Sequence, residues 1–248
     1  MSRILIVTGG SRGIGAATAR LAAAEGYTVC LTYLRSREAA DAVVRGIAEA
    51  GGKAMSIAAD VSKEADVVRL FDHVDSDLGP VSALVNNAGI LEQQMRVEDM
   101  DAERLARVFS TNIIGSFLCA REAVRRMSTR RGGNGGVIVN LSSMAARLGS
   151  PNEYVDYAAS KGAIDTFTLG LAKEVAAEGI RVNAVRPGLI YSDIHAAGGM
   201  PDRVDRLKHT VPMQRGGYPE EVARAILWLL SDDASYSTGT FVDVAGGR

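Results

Sequence analysis

The sequence alternates short apolar segments, rich in β-branched residues, with longer segments of helical composition. The apolar segments predict strands at 4–8, 28–33, 54–59, 81–85, 137–141, 181–185 and 240–244. Because these segments are apolar throughout, rather than on alternate residues, both faces of the sheet should be covered by helices. Right-handed crossovers between strands then predict an α/β protein with a doubly wound parallel sheet of about seven strands.

Helical patterns fill the intervals and predict helices at 13–26, 36–50, 62–78, 99–110, 112–128, 154–178 and 219–230. The segment 192–217 lacks clean periodicity and contains two prolines and two glycine pairs. Loops of that length in compact domains are usually functional, so we expect this segment to form a lid over a substrate site. With 248 residues and no linker-like stretch, we expect one domain over 1–248.

Composition excludes several classes of function. The formal net charge is -1, so the basic excess of a nucleic-acid binder is missing. No stretch approaches the roughly 18 apolar residues that a membrane helix needs. Cys30 and Cys119 lie far apart in apolar stretches, and we expect reduced core thiols in a cytoplasmic protein. His73, His195 and His209 show no metal-ligand spacing, so we predict no metal site; contact with a substrate is an alternative to solvation for His195 and His209.

A glycine-rich turn follows the first predicted strand and precedes a helix. Its glycines let a backbone approach a pyrophosphate, and the helix N-terminus offers amides and a favourable dipole. Such a turn can also join a strand to a helix without any ligand. Its position after the first strand favours dinucleotide binding by a Rossmann fold. The residues of this turn are Gly9, Ser11, Arg12, Gly13, Ile14 and Gly15.

The end of the second strand bears on the choice between NAD and NADP. An acid there would bind the ribose hydroxyls and repel a 2′-phosphate, but the chain has no acid over 32–36. The guanidiniums of Arg12 and Arg35, with the Ser36 hydroxyl, could clamp a phosphate. Both arginines could instead be solvated surface charges. Their placement, with the acid missing, predicts NADP(H) in preference to NAD(H).

Tyr157 and Lys161 lie one helical turn apart on one predicted helix face. A lysine cation beside a phenol favours phenolate and lowers the tyrosine pKa from about 10, which suits a general acid/base for a carbonyl or alcohol. Tyr154 lies nearby but has no lysine one turn on. Ser142 and Ser143 end the fifth strand, at the carboxyl edge where doubly wound sheets bind ligands.

Together these motifs resemble the short-chain dehydrogenase/reductase family in its compact single-domain form, over essentially the whole chain. Within the family, the segments 149–161 and 242–247 resemble members labelled glucose-1-dehydrogenase-like or 3-oxoacyl carrier-protein reductase-like. Further matching motifs are Asn86-Asn87-Ala88-Gly89 after strand four, Asp60-Val61 after strand three, Asn112 opening the fifth helix, the segment 187–192 after strand six, and Gly239 before the last strand.

The resemblance implies a role for each matching residue. Tyr157 would be the acid/base, and Lys161 its pKa partner and a donor to the nicotinamide ribose. Ser143, preferred over Ser142, would hydrogen-bond the substrate carbonyl. Asn112 would kink its helix and hold a water in a proton relay. The dinucleotide would also contact Asp60 and Val61 at the adenine, Asn87, Ala88 and Gly89 along the central groove, and Pro187, Gly188, Ile190 and Ser192 near the carboxamide.

The family resemblance implies an NADP(H)-dependent oxidoreductase that moves a hydride between nicotinamide and a small carbonyl or secondary alcohol. It also implies a homotetramer, formed through the helices at 112–128 and 154–178 and through the Trp228 helix with the last strand. The alternatives are a non-catalytic NADP-binding redox sensor, and epimerisation or dehydration on the same fold. The arginine run at 125–131 is expected to be solvated, with docking of an acidic carrier protein as the alternative.

Overall fold

In the computed structural model, which describes residues 3–248, the apolar segments form one parallel sheet in the order β3-β2-β1-β4-β5-β6-β7. The predicted doubly wound α/β sheet is confirmed, and its strand bounds differ from the predicted ones by at most two residues. The strands are β1 (Arg3–Val7), β2 (Tyr27–Tyr33), β3 (Lys53–Ala58), β4 (Ala83–Asn86), β5 (Gly136–Leu141), β6 (Ile180–Pro187) and β7 (Phe241–Val244).

Helices connect these strands and cover both faces of the sheet. The sequence patterns did not predict three short helices, at Ala145–Leu148, Ile194–Ala197 and Arg203–Leu207. The long helix Val155–Val175 ends in a 3₁₀ turn at Ala176–Glu178. The helices are α1 (Gly13–Ala24), α2 (Arg37–Glu49), α3 (Glu64–Asp77), α4 (Ala102–Phe109), α5 (Gly115–Met127), α6 (Ala145–Leu148), α7 (Val155–Val175), α8 (Ile194–Ala197), α9 (Arg203–Leu207) and α10 (Pro219–Leu230).

The sheet divides the interior into two apolar cores because successive strand residues point to opposite faces. In β1, Leu5 and Val7 belong to a core that includes residues of α1, α2 and α10. Ile4 and Ile6 belong to the other core, with residues of α3, α5 and α7. All four side chains are at most 1% exposed, which explains why the strand segments are apolar without alternation.

The path from α4 to α5 differs from the prediction. A π-helical segment, Ser110–Ile114, joins the two helices directly, so Asn112 lies inside this segment and does not open α5. The two predicted helices are therefore one helical path with a wide turn. π-Bulges of this kind are frequent at functional sites, and here the wide turn contains the buried Asn112.

The segment 192–217, predicted without regular structure, folds into α8, α9 and a 3₁₀ turn. Its ends are held together, because Ile190 and Gly217 form a parallel bridge. Arg203 of α9 is buried and forms an ion pair with Glu153, which precedes α7. The segment is thus attached to the residues just before α7 by a charged contact.

Cys30 and Cys119 are free thiols in the second core, as predicted. Burial raises the pKa of both thiols to about 12. Within residues 3–248, no helix is both long enough and apolar enough to cross a membrane. The same residues contain no group of three His, Cys, Asp or Glu side chains arranged to hold a metal ion.

Candidate active site

The crevice opens where the strand order reverses, between β1 and β4, at the carboxyl ends of the strands. Thr8 follows β1, and its hydroxyl accepts hydrogen bonds from the amides of Asn87 and Ala88, each at 3.0 Å. The Asn87 side chain donates back to the carbonyls of Thr8 and Gly9 at 2.9 Å. These bonds fix the glycine-rich turn against the loop that follows β4.

The glycine-rich turn disfavours side chains at Gly9, because of its backbone conformation, and at Gly15, because of close packing. Gly9 has a φ of 65°, in the left-handed region that favours glycine. A Cβ at Gly15 would lie 2.4 Å from the Gly9 carbonyl oxygen and 2.6 Å from Asn87 Nδ2. The helix α1 starts directly after this turn, and its N-cap residue Arg12 makes no side-chain capping bond. The first amides of α1 therefore remain available to an anion.

Two arginines flank the side of the crevice predicted to hold the adenosine. Arg12 and Arg35 are both exposed. Within residues 3–248, neither has a carboxylate within salt-bridge distance, whereas the nearby Arg37 pairs with Asp41 at 3.6 Å. Ser36 is the N-cap of α2, and its side chain makes no capping bond. The side-chain donors of Arg12, Arg35 and Ser36 are thus available to bind a phosphate.

Asp60 and Val61, predicted at the adenine, lie directly after β3. The Asp60 carboxylate accepts bonds from the Ser62 amide at 3.1 Å and the Ser62 hydroxyl at 2.6 Å. The Val61 side chain is 5% exposed and packs toward Gly115 at the start of α5. Any contact of Val61 with a dinucleotide therefore falls mainly to its backbone.

The side chains of Tyr157, Ser143 and Lys161 meet at the deep end of the crevice, where all three line one cavity. The Ser143 hydroxyl lies close enough to the Tyr157 phenol to lower its pKa, and it accepts a hydrogen bond from the Ala145 amide at 3.1 Å. Lys161 is 4% exposed; its ammonium donates to the Leu141 carbonyl at 2.6 Å and lies 5.6 Å from the centre of the Tyr157 ring. The helix α7 thus delivers the phenol and the ammonium to the ends of β5.

Burial sets the protonation of this pair, and here the sequence-based expectation of a lowered tyrosine pKa is wrong. Desolvation raises the pKa of Tyr157 to about 12, and the Ser143 hydroxyl offsets this only in part. Desolvation also lowers the pKa of Lys161 to about 8, while the Asp165 carboxylate acts in the opposite direction. Both shifts follow from the cost of placing a charge in an apolar environment. At neutral pH the phenol is therefore protonated.

The geometry distinguishes the two serines at the end of β5. Ser142 is buried, and its hydroxyl donates to the Lys161 carbonyl at 3.3 Å, so it faces α7. Both serines line the cavity, but only Ser143 has its hydroxyl beside the Tyr157 phenol. Between Ser143 and Tyr157 the chain forms α6 and a turn in which Ser150 and Asn152 have φ values of 46° and 61°. This strained turn accommodates the length of the connection.

Asn112 joins α7 to the loop after β4. Its side-chain amide donates to the Ser160 hydroxyl at 3.0 Å and to the Ile90 carbonyl at 3.1 Å, and its Oδ1 accepts from the Ile90 amide at 2.8 Å. A Cβ at Gly89 would come within 3.6 Å of the Lys161 ammonium and 3.4 Å of Asn112 Oδ1. The glycine therefore keeps a groove open beside the lysine.

The segment after β6 forms the opposite wall of the cavity, and its predicted residues Pro187, Gly188, Ile190 and Ser192 all line it. The Ile190 side chain is buried in the first core, and its carbonyl accepts a bond from His195 Nε2 at 3.0 Å. Because Nε2 must carry the proton to donate, Nδ1 of the neutral ring carries no proton and is an acceptor. This atom is buried and has no partner among residues 3–248.

The cavity has a volume of about 410 Å³, within the usual range for small-molecule sites. Its apolar wall includes Leu91 and Met144, and its polar wall includes Glu153, Arg203 and His195. His209 is exposed and does not line this cavity. Of the predicted site residues, the cavity brings together Ile14, Asn87, Gly89, Ser143, Tyr157, Lys161, Pro187, Gly188, Ile190 and Ser192.

Sequence reasoning missed a buried chain of polar side chains across the strand ends. The Asn86 amide donates to Asn140 Oδ1 at 3.0 Å and to the Ser116 carbonyl at 3.1 Å. The Asn140 amide donates in turn to the Thr168 hydroxyl at 2.9 Å. The signal was present, because an asparagine is the last residue of β4 and the last but one of β5, in otherwise apolar segments. The chain ties β4 and β5 to α5 and α7.

The residues present fit a nicotinamide dinucleotide. The close-packed glycine turn and uncapped amides of α1 suit a pyrophosphate. The groove past Gly89 leads from there to Lys161 and Tyr157. Ser192 is half-buried and also lines this cavity, and its Cβ lies 3.6 Å from where a Cβ at Gly13 would be.

Comparisons with known proteins identify the family. A family model described as enoyl-(acyl carrier protein) reductase matches residues 9–248. The chain is 62% identical over 245 residues to an uncharacterised oxidoreductase, YgfF, of Escherichia coli (strain K12), covering 99% of each chain. It is 41% identical over 256 residues to the glucose and ribitol dehydrogenase homolog of Oryza sativa subsp. japonica, covering 99% of this chain and 85% of that protein.

A solved structure gives the same result. The crystal structure of a short-chain type dehydrogenase/reductase from Mycobacterium marinum matches with a TM-score of 0.92 at 34% sequence identity, covering 99% of this chain and 94% of that one. The resemblance inferred from the motifs is thereby confirmed. The chain belongs to the short-chain dehydrogenase/reductase family of nicotinamide-dependent oxidoreductases.

Proposed function

We propose that this protein is an NADP(H)-dependent oxidoreductase that interconverts a small carbonyl compound and its secondary alcohol. The observation that carries the proposal is the placement of the Tyr157 phenol beside the Ser143 hydroxyl in a cavity, one helical turn from the buried Lys161. Two hydroxyl donors that converge on one point suit a carbonyl oxygen, which accepts two hydrogen bonds.

When bound, the dinucleotide supplies the hydride chemistry, which the protein itself lacks. Ser143 and Tyr157 hold the carbonyl oxygen by hydrogen bonds and polarise it. Tyr157 then gives its phenolic proton to the oxygen as an alkoxide forms, and the nearby Lys161 ammonium stabilises the resulting phenolate. Asn112 keeps Ser160 and the loop after β4 in register with this site, and a proton returns to Tyr157 through solvent at the groove.

At neutral pH the protonation states of Tyr157 and Lys161 suit the carbonyl-reducing half of the reaction. Burial holds the pKa of Tyr157 at about 12, so the phenol carries the proton that reduction consumes. Lys161, with a pKa of about 8, is largely an ammonium at pH 7. A protonated donor and a cation beside it are the states that an incoming carbonyl requires.

The preference for NADP(H) rests on charge. Arg12 and Arg35 are exposed and have no carboxylate partner within residues 3–248, and no acid stands at the end of β2 to repel a 2′-phosphate. Arginine matches a phosphate with paired donors in a planar fork. The Ser36 hydroxyl adds a third donor on the same side of the crevice.

The substrate is a small molecule enclosed partly by the segment 192–217, which we propose acts as a lid on a single domain over 1–248. Ser192 and His195 come from this segment, and Arg203 within it reaches Glu153 across the cavity. The buried, free thiols of Cys30 and Cys119 are compatible with a reducing compartment such as the cytoplasm.

A homotetramer accounts for the exposed apolar side chains on α5 and α7. Phe117 of α5 is 48% exposed and stacks on Phe167 of α7 at 3.8 Å between ring centres. Ile114, the last residue of the π segment before α5, and Leu169 of α7 are 49% and 42% exposed. Trp228 of α10, which is 42% exposed, belongs to the second proposed interface.

Docking of an acidic carrier protein by the arginine run of α5 is not supported. Arg126 pairs with Asp72, Asp75 and Glu122, and Arg125 also pairs with Glu122. Farther along, Arg130 pairs with Glu178. Three of the four arginines of the run are therefore paired with carboxylates of the chain.

Replacing Tyr157 with Phe should lower kcat for carbonyl reduction at least about 100-fold, because the proton donor is lost. NADPH binding, followed by the change in nicotinamide fluorescence, should stay within about twofold of the wild type, since the ring is kept. The substrates to test are sugars, keto-esters, quinones, steroids and acyl thioesters. The fully exposed Tyr236 provides the control, and Tyr236→Phe should behave as wild type. NADPH binding by the wild type without turnover of any compound would favour the redox-sensor alternative.

Replacing Arg35 with Ala should raise KM for NADPH about 10-fold or more and leave KM for NADH nearly unchanged, because one charge-assisted bond to a 2′-phosphate is lost. Steady-state kinetics with both coenzymes measures this ratio. Arg37, two residues on and paired with Asp41, is the matched control. Equal changes for both coenzymes in Arg35→Ala would contradict the phosphate clamp.

The rate of reduction should depend on pH through Lys161. Its folded-state pKa is lowered to about 8, so the ammonium is present below that pH and is lost as the pH rises through it. We therefore expect kcat/KM for the carbonyl substrate to be level near pH 7 and to fall about tenfold per pH unit well above pH 8. The profile is measured from pH 6 to 10 with NADPH affinity followed in parallel. A level profile up to pH 10 would exclude a required ammonium.

Replacing Phe117 with Glu should split a tetramer into smaller species, because a charge replaces an apolar contact on the α5–α7 face. Sedimentation velocity distinguishes the assembly states. Val97 is 60% exposed and belongs to neither helix, so it provides the control, and Val97→Glu should leave the assembly intact. A monomeric wild type, or an unchanged tetramer in Phe117→Glu, would argue against this interface.

A further inference from the structure

A buried ion pair lies directly behind the catalytic turn. Arg104 of α4 and Asp156 of α7 meet at 2.7 Å from Nε to Oδ2, and their side chains are 4% and 1% exposed. A second contact joins Arg104 Nη2 to Asp156 Oδ1 at 3.4 Å. Two charges so fully removed from solvent are costly unless each is satisfied by its neighbours. A buried ion pair beside Tyr157 therefore suggests a role other than stabilising the fold.

The Asp156 carboxylate acts on the residue that follows it. Its Oδ1 accepts a hydrogen bond from the Tyr157 amide at 2.8 Å, in the first turn of α7, where backbone donors have no helical partner. Its other oxygen, Oδ2, faces Arg104. The backbone of Tyr157 is therefore held by a carboxylate that is itself held by a guanidinium.

Arg104 is anchored on two further sides. Its Nη1 donates to the Gln93 carbonyl at 2.6 Å, in the loop after β4. Its own backbone amide donates to Asp101 Oδ1 at 2.7 Å, the N-cap of α4. One side chain thus connects three separate parts of the chain: α4, the loop after β4, and the start of α7.

From this geometry we propose that Arg104, acting through Asp156, is a positioning residue for Tyr157. The proposal rests on the proposed function, since it requires that Tyr157 be the proton donor. Arg104 touches neither the cavity nor the phenol, and its effect passes through Asp156 to the Tyr157 backbone. Its chemical task is to fix where the phenol stands relative to Ser143.

Asn112 supports the same turn from its other end. Its amide donates to the Ser160 hydroxyl, which in turn donates to the Tyr157 carbonyl at 2.7 Å. The helical path from α4 through the π segment therefore carries two contacts to α7. One contact, from Arg104, fixes the amide side of Tyr157, and the other fixes its carbonyl side.

The structure contains a matched control for a general stabilising role. Arg107 lies one turn after Arg104 on α4 and pairs with Glu92 at 2.9 Å, next to Gln93 in the same loop. This second pair joins the same two elements but is largely exposed and does not reach α7. If Arg104 served only to attach α4 to the loop, the two arginines would behave alike.

The experiment compares Arg104→Met, Arg104→Lys, the double variant Arg104→Gln with Asp156→Asn, and the control Arg107→Met. Active-site concentration is set by the stoichiometry of NADPH binding, so that misfolded protein does not count. Circular dichroism at the assay temperature reports whether each variant is folded. Activity is measured with a carbonyl substrate that the wild type reduces.

We expect Arg104→Met to lower kcat per bound NADPH between about 10- and 100-fold, the range expected when a reacting group is displaced by about an ångström. KM for the substrate and the Kd for NADPH should change less than about threefold. Arg104→Lys should fall in between, because a lysine can reach Asp156 or Gln93 but not both. In the double variant, the side-chain oxygen left by Asp156→Asn can still accept from the Tyr157 amide. The side-chain amides at positions 104 and 156 can hydrogen-bond each other. We therefore expect kcat to return to within about fivefold of the wild type.

Other results would overturn the proposal. If Arg104→Met keeps the wild-type kcat and loses only thermal stability, the pair is structural. If Arg107→Met lowers kcat as much as Arg104→Met, the effect belongs to the attachment of α4 in general. If Arg104→Met does not fold, kcat per bound NADPH is compared between Arg104→Lys and the double variant. A lower kcat in the double variant than in Arg104→Lys would contradict the positioning role. A wild type that reduces no carbonyl compound would instead refute the proposed function and not this pair's geometry.

Discussion

The hydrogen bonds of Thr8 across the crevice determine most of what this structure can do. A doubly wound sheet opens where its strand order reverses, and the opening is useful only if its two sides are held at a fixed separation. The Thr8 hydroxyl accepts two amides of the loop after β4, and the Asn87 side chain donates back to the turn. The glycine turn and the loop after β4, which leads to the groove at Gly89, take their relative positions from this junction.

Burial, more than the pairing of Tyr157 with Lys161, governs the electrostatics of the site. A lysine near a tyrosine suggests a lowered phenol pKa when spacing alone is considered. In the folded chain both groups lose solvent, and desolvation favours the neutral form of each. The result is a protonated phenol beside a lysine that titrates near pH 8, a pair set to donate a proton at neutral pH.

The sequence predicts what depends on near neighbours along the chain. The strands, the glycine turn after β1 and the spacing of Tyr157 and Lys161 are local patterns, and the confirmed fold follows from them. The π segment at Asn112, the bond from Ser142 to the Lys161 carbonyl and the pair of Arg104 with Asp156 depend on residues 19 to 52 positions apart. No periodicity reports such contacts, so they become visible only in the folded chain.

The two halves of the crevice are built by different rules, and this bears on how its specificity can vary. The dinucleotide half uses backbone at strand ends, where a change of side chain disturbs the packing of the sheet, as the contact of a Cβ at Gly15 with the Gly9 carbonyl illustrates. The substrate half uses side chains from separate segments joined by charged contacts, such as Glu153 with Arg203. Substitutions there alter the cavity wall without altering the sheet. Under the proposed function, the fold can therefore keep one coenzyme and one proton donor while substitutions in the segment 192–217 change the substrate that reaches them.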